Sequence, residues 1–176
     1  MHDMMAHVEP LIPSLRRYAR SLLRDQSAAD DLVQDCLERV ISRWHQRRID
    51  GDARTWVFTI LHNLAMNRLK QKARRGVHVT VDDADQAAFA TAPAQEDQLH
   101  HRAVVDALSQ LPEDQRSVLL LVSVEELSYV ETASVLDIPI GTVMSRLSRA
   151  RHRLAQVLEE GPGRLAKTGT VLRRVK

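Results

Sequence analysis

Apolar residues recur along this chain at three- and four-residue spacings, which marks helices with one buried face. Between Val8 and Leu23, the residues Leu11, Leu15, Tyr18, Ala19 and Leu22 fall near one face. Pro10 and Pro13 confine the regular helix to the part after Pro13. Asp25, Gln26 and Ser27 read as a connection. A second helix is predicted from Ala28 to about Trp44. Its apolar arc is Leu32, Val33, Cys36, Leu37, Val40 and Trp44, with Asp31, Gln34, Asp35, Glu38 and Ser42 opposite. His45 to Arg54 is polar, contains Gly51 and reads as a loop. Thr55 is placed to cap a third helix that reaches Arg75 and ends in the basic run RLKQKARR.

The helical period lapses from Gly76 to Glu96, a stretch of acids and small residues with Pro93. It resumes from Gln98 to Leu111, and Pro112 then opens PEDQRSVLLLVSVEE at a first-turn position, followed by acids that suit a helix start. The most informative segment is LSYVETASVLDIPIGTVMSRLSRARHRL, Leu127 to Leu154. Ser128 and Glu131 have the spacing of a capping box. Pro139 breaks the chain, because the residue before a proline is pushed out of the helical region. Gly141 and Thr142 open the next helix, with Thr142 as its cap. On that helix Val143, Leu147, Ala150 and Leu154 share one narrow face, while Ser145, Arg146, Arg149, His152 and Arg153 lie on the other side. Two helices joined by such a bend form a helix-turn-helix, whose second helix enters the DNA major groove.

Composition narrows the fold. With 176 residues and 3% aromatics, the chain has room for one medium or two small domains packed through aliphatic side chains. The expected fold is all-α: two small helical domains joined by a flexible acidic linker. The domains span residues 1–75 and 98–160, the linker 76–97, and a basic tail, read as disordered, 161–176. No apolar run approaches the ~20 residues of a membrane span, and MHDMMAHVEP lacks the pattern of a signal peptide. A single cysteine excludes an internal disulfide and suits a reducing cytoplasm. Cys36 lies in an apolar arc and reads as a small buried hydrophobe.

Charge is uneven although the net is only +2. Residues 1–75 carry 14 basic and 9 acidic side chains, a net of +5. Residues 76–105 carry 1 and 5, and residues 106–160 carry 5 and 9, so each segment has a net of −4; residues 161–176 carry 5 and 0. Separate basic surfaces suggest an anionic polymer held at more than one place. From Thr142 to Arg153 there are four arginines and no acid, whereas a merely solvated helix mixes signs. Arginine serves both phosphate contact and bidentate reading of guanine. The run from Arg68 to Arg75 holds five cations in eight residues, more than a helix dipole calls for, and reads as a phosphate-facing patch. Enzymatic motifs are missing: there is no HExxH, no His/Cys metal spacing, no glycine-rich phosphate loop and no GxSxG. Glu125 and Glu126 read as a helix end rather than an acid/base pair. No catalytic residue, metal or cofactor is expected.

Across residues 8–158 the chain resembles the small two-domain sigma factors of bacterial RNA polymerase, the extracytoplasmic-function (ECF) type. In the second domain the resemblance rests on LSQLPEDQRSVLLL, with its Leu-Pro-x-x-x-Arg pattern, and on the helix-turn-helix with Gly-Thr-Val and the Ser-Arg-x-x-Arg-Ala-Arg pattern. In the first it rests on AADDLVQDCLERVISRW and on TWVFTILHNLAMNRLKQKARR, which has a Trp-x-x-x-Ile-x-x-Asn pattern. The resemblance implies a region 2 domain that reads and opens the minus-10 element, and a region 4 domain that reads the minus-35 duplex. It assigns Thr142, Ser145, Arg146, Arg149 and Arg153 to minus-35 DNA. It assigns Arg47, Arg48, Arg54, Trp56, Asn63, Asn67, Arg68 and Lys70 to the minus-10 region, where a displaced base is held by a pocket and by stacking; Trp56 also reads as ordinary packing on an apolar face. Asp31, Gln34, Asp35, Glu38 and Arg39 match the surface that docks on the clamp helices of the polymerase β′ subunit, and the second domain is expected on the β flap. A partner anti-sigma protein is implied as well. Three positions depart from the pattern: Met144 where arginine is common, Ser148 where a bulkier residue is common, and Asn67 where aspartate is frequent. The competing readings are a helix-turn-helix regulator without polymerase, a sigma-like decoy that sequesters an anti-sigma protein, and a nuclease or helicase accessory.

Overall fold

A computed structural model describes residues 2–47, 52–74 and 103–160, and all its regular elements are helical. The first half comprises α1 (His2–Val8), a 3-10 turn at Glu9–Leu11, α2 (Ile12–Leu23), α3 (Gln26–Arg43), a 3-10 turn at Trp44–Gln46, and α4 (Ala53–Arg74). The second comprises α5 (residues 103–109), α6 (Glu113–Ser123), α7 (Tyr129–Leu136) and α8 (Ile140–Glu160). The expected linker at 76–97 and basic tail at 161–176 lie outside the described residues, as do Arg48 and Arg75.

Helix boundaries follow side chains that satisfy the first free amides. Asp25 caps α3 by accepting from the Ala28 amide at 2.9 Å, so the helix begins at Gln26 and the supposed connection belongs to it. Asp52, not Thr55, caps α4. Its carboxylate accepts from the amides of Arg54 and Thr55 and from the Thr55 hydroxyl. Partial burial alone pushes this carboxyl up. The Thr55 and Arg54 hydrogen bonds and the Arg54 charge outweigh it and hold the group below its ordinary value. Pro10 and Pro13 sit in the first turns of the 3-10 segment and of α2, where no amide is missed, so helix extends on both sides of them. Helix α6 stops at Ser123 rather than running to Glu126, and Glu126 takes a left-handed φ of 54°.

The helix-turn-helix forms as patterned, with one shift. Both halves of the capping box are present: the Glu131 amide donates to Ser128 Oγ, and the Ser128 amide donates to the Glu131 carboxylate. Asp137, at φ 52°, ends α7. Helix α8 begins at Ile140, and the Thr142 and Val143 amides donate to the Pro139 carbonyl. Thr142 therefore stands inside the first turn and is not the cap.

Two apolar clusters hold the chain together. One is the core of the helix-turn-helix, with Leu111, Val118, Leu119, Ala133, Val143, Leu147 and Ala150. The other is built on α2, α3 and α4, around Leu15, Tyr18, Leu32, Val57, Phe58 and Leu61, and it also takes in Leu120, Leu121, Leu127 and Val135 from the second half. The two halves thus share a core across α2, α4, α6 and α7.

Candidate nucleic-acid and polymerase interfaces

On α8 the division of faces is clear. Val143, Leu147 and Ala150 are buried; Ser145, Arg149, His152 and Arg153 are exposed, and Thr142 is half-buried. Arg149 folds back along its own helix, its Nε donating to the Ser145 carbonyl at 3.2 Å, while Ser145 Oγ donates to the Thr142 carbonyl. The side chains of Arg149, His152 and Arg153 line an open groove of about 420 Å³ with Gln115 and Gln156. Arg146 is placed differently. It leans toward α6 and pairs with Asp114 at 3.3 Å, so its charge is partly compensated before any partner arrives.

On α3 the residues Asp31, Gln34, Asp35, Glu38 and Arg39 are all exposed on one side of the helix. They are joined only lightly: Gln34 donates to Glu38 at 3.2 Å, and Asp35 lies 3.5 Å from Arg68. Beside them Ile41 is also exposed, an apolar neighbour that the acidic pattern did not single out.

The predicted minus-10 residues scatter in role. Asn63, Asn67 and Lys70 are exposed along α4. Trp56 is half-buried against the core and meets Trp44 edge-on, ring centroids 6.0 Å apart; the Arg47 guanidinium lies 4.7 Å from the Trp44 ring. Such contacts are those of packing. Arg68 donates to the Ala28 carbonyl and pairs with Asp35, tying α4 to the start of α3. Arg54 donates to the Glu125 carbonyl across the junction of the two halves. Its guanidinium is therefore occupied inside the protein, contrary to the expectation of a DNA-facing side chain in this conformation.

That junction is the feature local pattern missed. Glu125 is 1% exposed and receives two hydrogen bonds from Arg17, at 2.9 and 2.7 Å. The hydrogen bond and charge of Glu125 raise the Arg17 pKa further above its ordinary value, against a smaller opposing effect of burial. Arg116, the arginine of the Leu-Pro-x-x-x-Arg pattern, is buried and donates to the Leu111 carbonyl at 3.0 Å and to Leu22 of α2 at 3.5 Å. These are carbonyls near helix ends, where a cation is favoured. Nearby, the Tyr18 hydroxyl and His62 Nδ1 share a hydrogen bond of 3.0 Å, and burial lowers the His62 pKa to about 4. The sequence signal for this junction was slight, since Arg116 stands in the polar start of α6 and Glu125 just past the apolar run Val118–Val122. Cys36 is fully buried with its thiol pushed up to about 12 by burial, as expected of a packed sulfur. Among the described residues no group of three or more His, Cys, Asp or Glu could hold a metal ion, and no helix is long and apolar enough to cross a membrane.

Comparison with known proteins places both halves. Residues 8–62 match the family description "Sigma2 domain of PhyR", and residues 101–154 match "Sigma-70, region 4". The chain is 35% identical over 150 residues to the ECF RNA polymerase sigma factor EcfG of Rhodopseudomonas palustris, covering 84% of this chain and 80% of that protein. It is 34% identical to the ECF sigma factor SigM of Mycobacterium tuberculosis, covering 82% and 71%. Among solved structures, it is similar to the sigma factor RpoE of Bartonella quintana, determined in complex with the anti-sigma factor NepR. The TM-score is 0.77 and the identity 30%, over 90% of this chain and 98% of that one. A bent helix pair with an outward arginine face, joined to a helical half with an exposed acidic helix, therefore has its relatives over most of its length, and the chain belongs to the ECF RNA polymerase sigma factors.

Proposed function

We propose that this sigma factor reads the minus-35 duplex through Ser145, Arg149 and Arg153 of α8, with Thr142 and Arg146 at the groove edge, and docks on the polymerase β′ clamp helices through Asp31, Gln34, Asp35, Glu38 and Arg39 of α3. The observation that carries the first part is the sorting on α8: its aliphatic face is buried, and Arg149 and Arg153 stand exposed on the other side. Each base-edge contact in a major groove is worth about 1–3 kcal/mol. Two weak readers clamped on one enzyme gain further through effective concentration. The reading treats residues 1–75 and 98–160 as the two domains and 76–97 as their connection, with the second domain on the β flap. Asn63, Asn67 and Lys70, together with Arg47, Arg48 and Trp56, form the minus-10 region. Arg54 joins them only once its contact with Glu125 opens, and Arg68 contributes by holding α4 against α3.

Sigma factors are initiation factors without catalytic chemistry of their own, and we read this chain as one that acts in the cytoplasm and brings no active site. An anti-sigma partner fits as well, since the similar RpoE was solved bound to one. Run-off transcription with core polymerase on genomic fragments tests the proposal. Discrete transcripts that depend on the protein, and that weaken when α8 arginines are replaced, are expected; a protein that binds core yet directs no transcript would overturn it. A protein that neither binds core nor directs a transcript would favour the sigma-like decoy that sequesters an anti-sigma protein.

A further inference from the structure

The head of α8 carries two large apolar side chains that stand about half exposed to solvent. Ile140 is 43% exposed and Met144 52% exposed. Four residues apart on a helix, they lie side by side on one strip. The strip continues to Arg151, which is exposed and has no partner among the described residues. Gly141, next to Ile140, adds no side chain, and a Cβ there would meet nothing within 4 Å. The fold therefore does not demand glycine at this place, and the backbone of the first turn is open to close approach from outside.

The occupant must suit both the apolar strip and its setting. From Ile140 to Leu158, α8 has four arginines and no acid, which selects an anionic partner. The N-terminal residues of a recognition helix are the ones that reach base edges. Along the major-groove edges of the bases the apolar group on offer is the thymine 5-methyl. We propose that Ile140 and Met144 contact the 5-methyl group of a thymine in the minus-35 duplex and give this sigma factor a thymine preference beside the bases read by its arginines. The inference rests on the minus-35 reading of α8. It makes Met144 a residue with a base preference of its own.

The test uses a promoter duplex recovered by run-off transcription and remade with deoxyuridine for thymine, one minus-35 position at a time. This removes a methyl and leaves the hydrogen-bonding edge intact. Losing one buried methyl corresponds to about a fourfold loss of affinity. The full-length protein is expected to show that loss at one or two positions. The double variant Ile140→Ala with Met144→Ala should bind the thymine duplex as weakly as wild type binds the deoxyuridine one, and should no longer distinguish them. Met144→Leu should keep the distinction. Both residues are exposed, so an unchanged thermal midpoint is expected and is measured alongside. Wild type that tolerates deoxyuridine at every position overturns the proposal, as does a double variant that still discriminates. A double variant impaired in core binding but not in DNA affinity assigns the strip to the polymerase and also overturns it. Should Arg149→Ala leave promoter affinity unchanged too, the minus-35 reading itself fails and this inference falls with it.

Discussion

Replacing Arg17 with alanine should loosen the junction between the two halves by an amount the structure allows to be worked out. Glu125 is 1% exposed, and its carboxylate is held by Arg17 through two hydrogen bonds. Removing one member of a fully buried ion pair costs about 3–5 kcal/mol, because a charge is left buried without a partner. Arg17 itself is 37% exposed, so water reaches its end of the pair and partly rehydrates Glu125 in the variant. The expected cost falls to about 2 kcal/mol after that screening. Arg17 belongs to α2 and Glu125 follows α6, so the loss weakens the docking of one half on the other rather than either helix alone. A change of 2 kcal/mol corresponds to about a 30-fold shift between docked and undocked forms.

Energy transfer between dyes on cysteines introduced at the exposed residues Ser42 and Glu159 reports that shift. Cys36 does not interfere, since it is buried with its thiol pushed up to about 12. Wild type should show one docked population and Arg17→Ala a marked loss of it. The control is Arg17→Met with Glu125→Leu, which removes both charges and leaves apolar groups of similar reach; most of the docking should return. Unchanged transfer and an unchanged melting temperature in Arg17→Ala would refute the argument. A double apolar variant as loose as the single one would show that the cost did not come from a stranded charge.

Arg149→Ala should lower transcription from cognate promoters about tenfold while leaving core binding intact, taking one base or phosphate contact as worth about 1–3 kcal/mol; equal promoter output would remove the base-reading role. Asp35→Arg with Glu38→Arg should weaken binding to core polymerase with little change in thermal stability, because the exposed Asp35–Arg68 pair contributes at most about 1 kcal/mol; affinity equal to wild type in a core pull-down would cancel the clamp assignment. His62 is buried in its neutral form with its pKa lowered from 6.5 to about 4, so the unfolded chain binds the proton more readily between those values. Its contribution, roughly 3 kcal/mol, is present above pH 6.5 and is lost as pH falls to about 4. Melting curves across that window should slope downward with acid in wild type and less so in His62→Phe; equal slopes would contradict the burial of a neutral imidazole.

What was legible in the chain was local. The capping box at Ser128 and Glu131 needs only three residues' separation, and the buried face of α8 needs only the helical period. Both stand as read. The helix starts were harder, because neighbouring residues of the same capping class compete. Asp52 and Thr55 both suit the start of α4, and the carboxylate prevails by accepting from two amides and the Thr55 hydroxyl at once. Thr142 has a capping side chain, yet a glycine in a first turn is compatible with helix, and α8 begins one residue before Gly141. The junction was not legible. Arg17 and Glu125 are 108 positions apart, and no local pattern connects them.

The arginines show why the site was harder to read than the fold. By sequence, Arg54, Arg68, Arg149 and Arg153 are assigned to DNA, and Arg116 stands only as the arginine of the Leu-Pro-x-x-x-Arg pattern. In the structure they divide according to what lies within reach. Arg54, Arg68 and Arg116 end on backbone carbonyls of Glu125, Ala28 and Leu111, the first two partly buried and the third fully buried. Arg153 is exposed, and Arg149 reaches only the Ser145 side chain and carbonyl of its own helix, contacts that solvent or a phosphate can replace. An arginine committed to a buried carbonyl cannot be withdrawn without stranding it, at about 1–3 kcal/mol, whereas one on an exposed helix turn is withdrawn at little cost. The first group therefore sets which conformation the chain holds, and the second remains available to an outside partner. Arg54 stands between the two, since its carbonyl belongs to the residue whose side chain Arg17 secures. For this reason loosening Arg17 is expected to change the availability of Arg54 before it changes anything on α8.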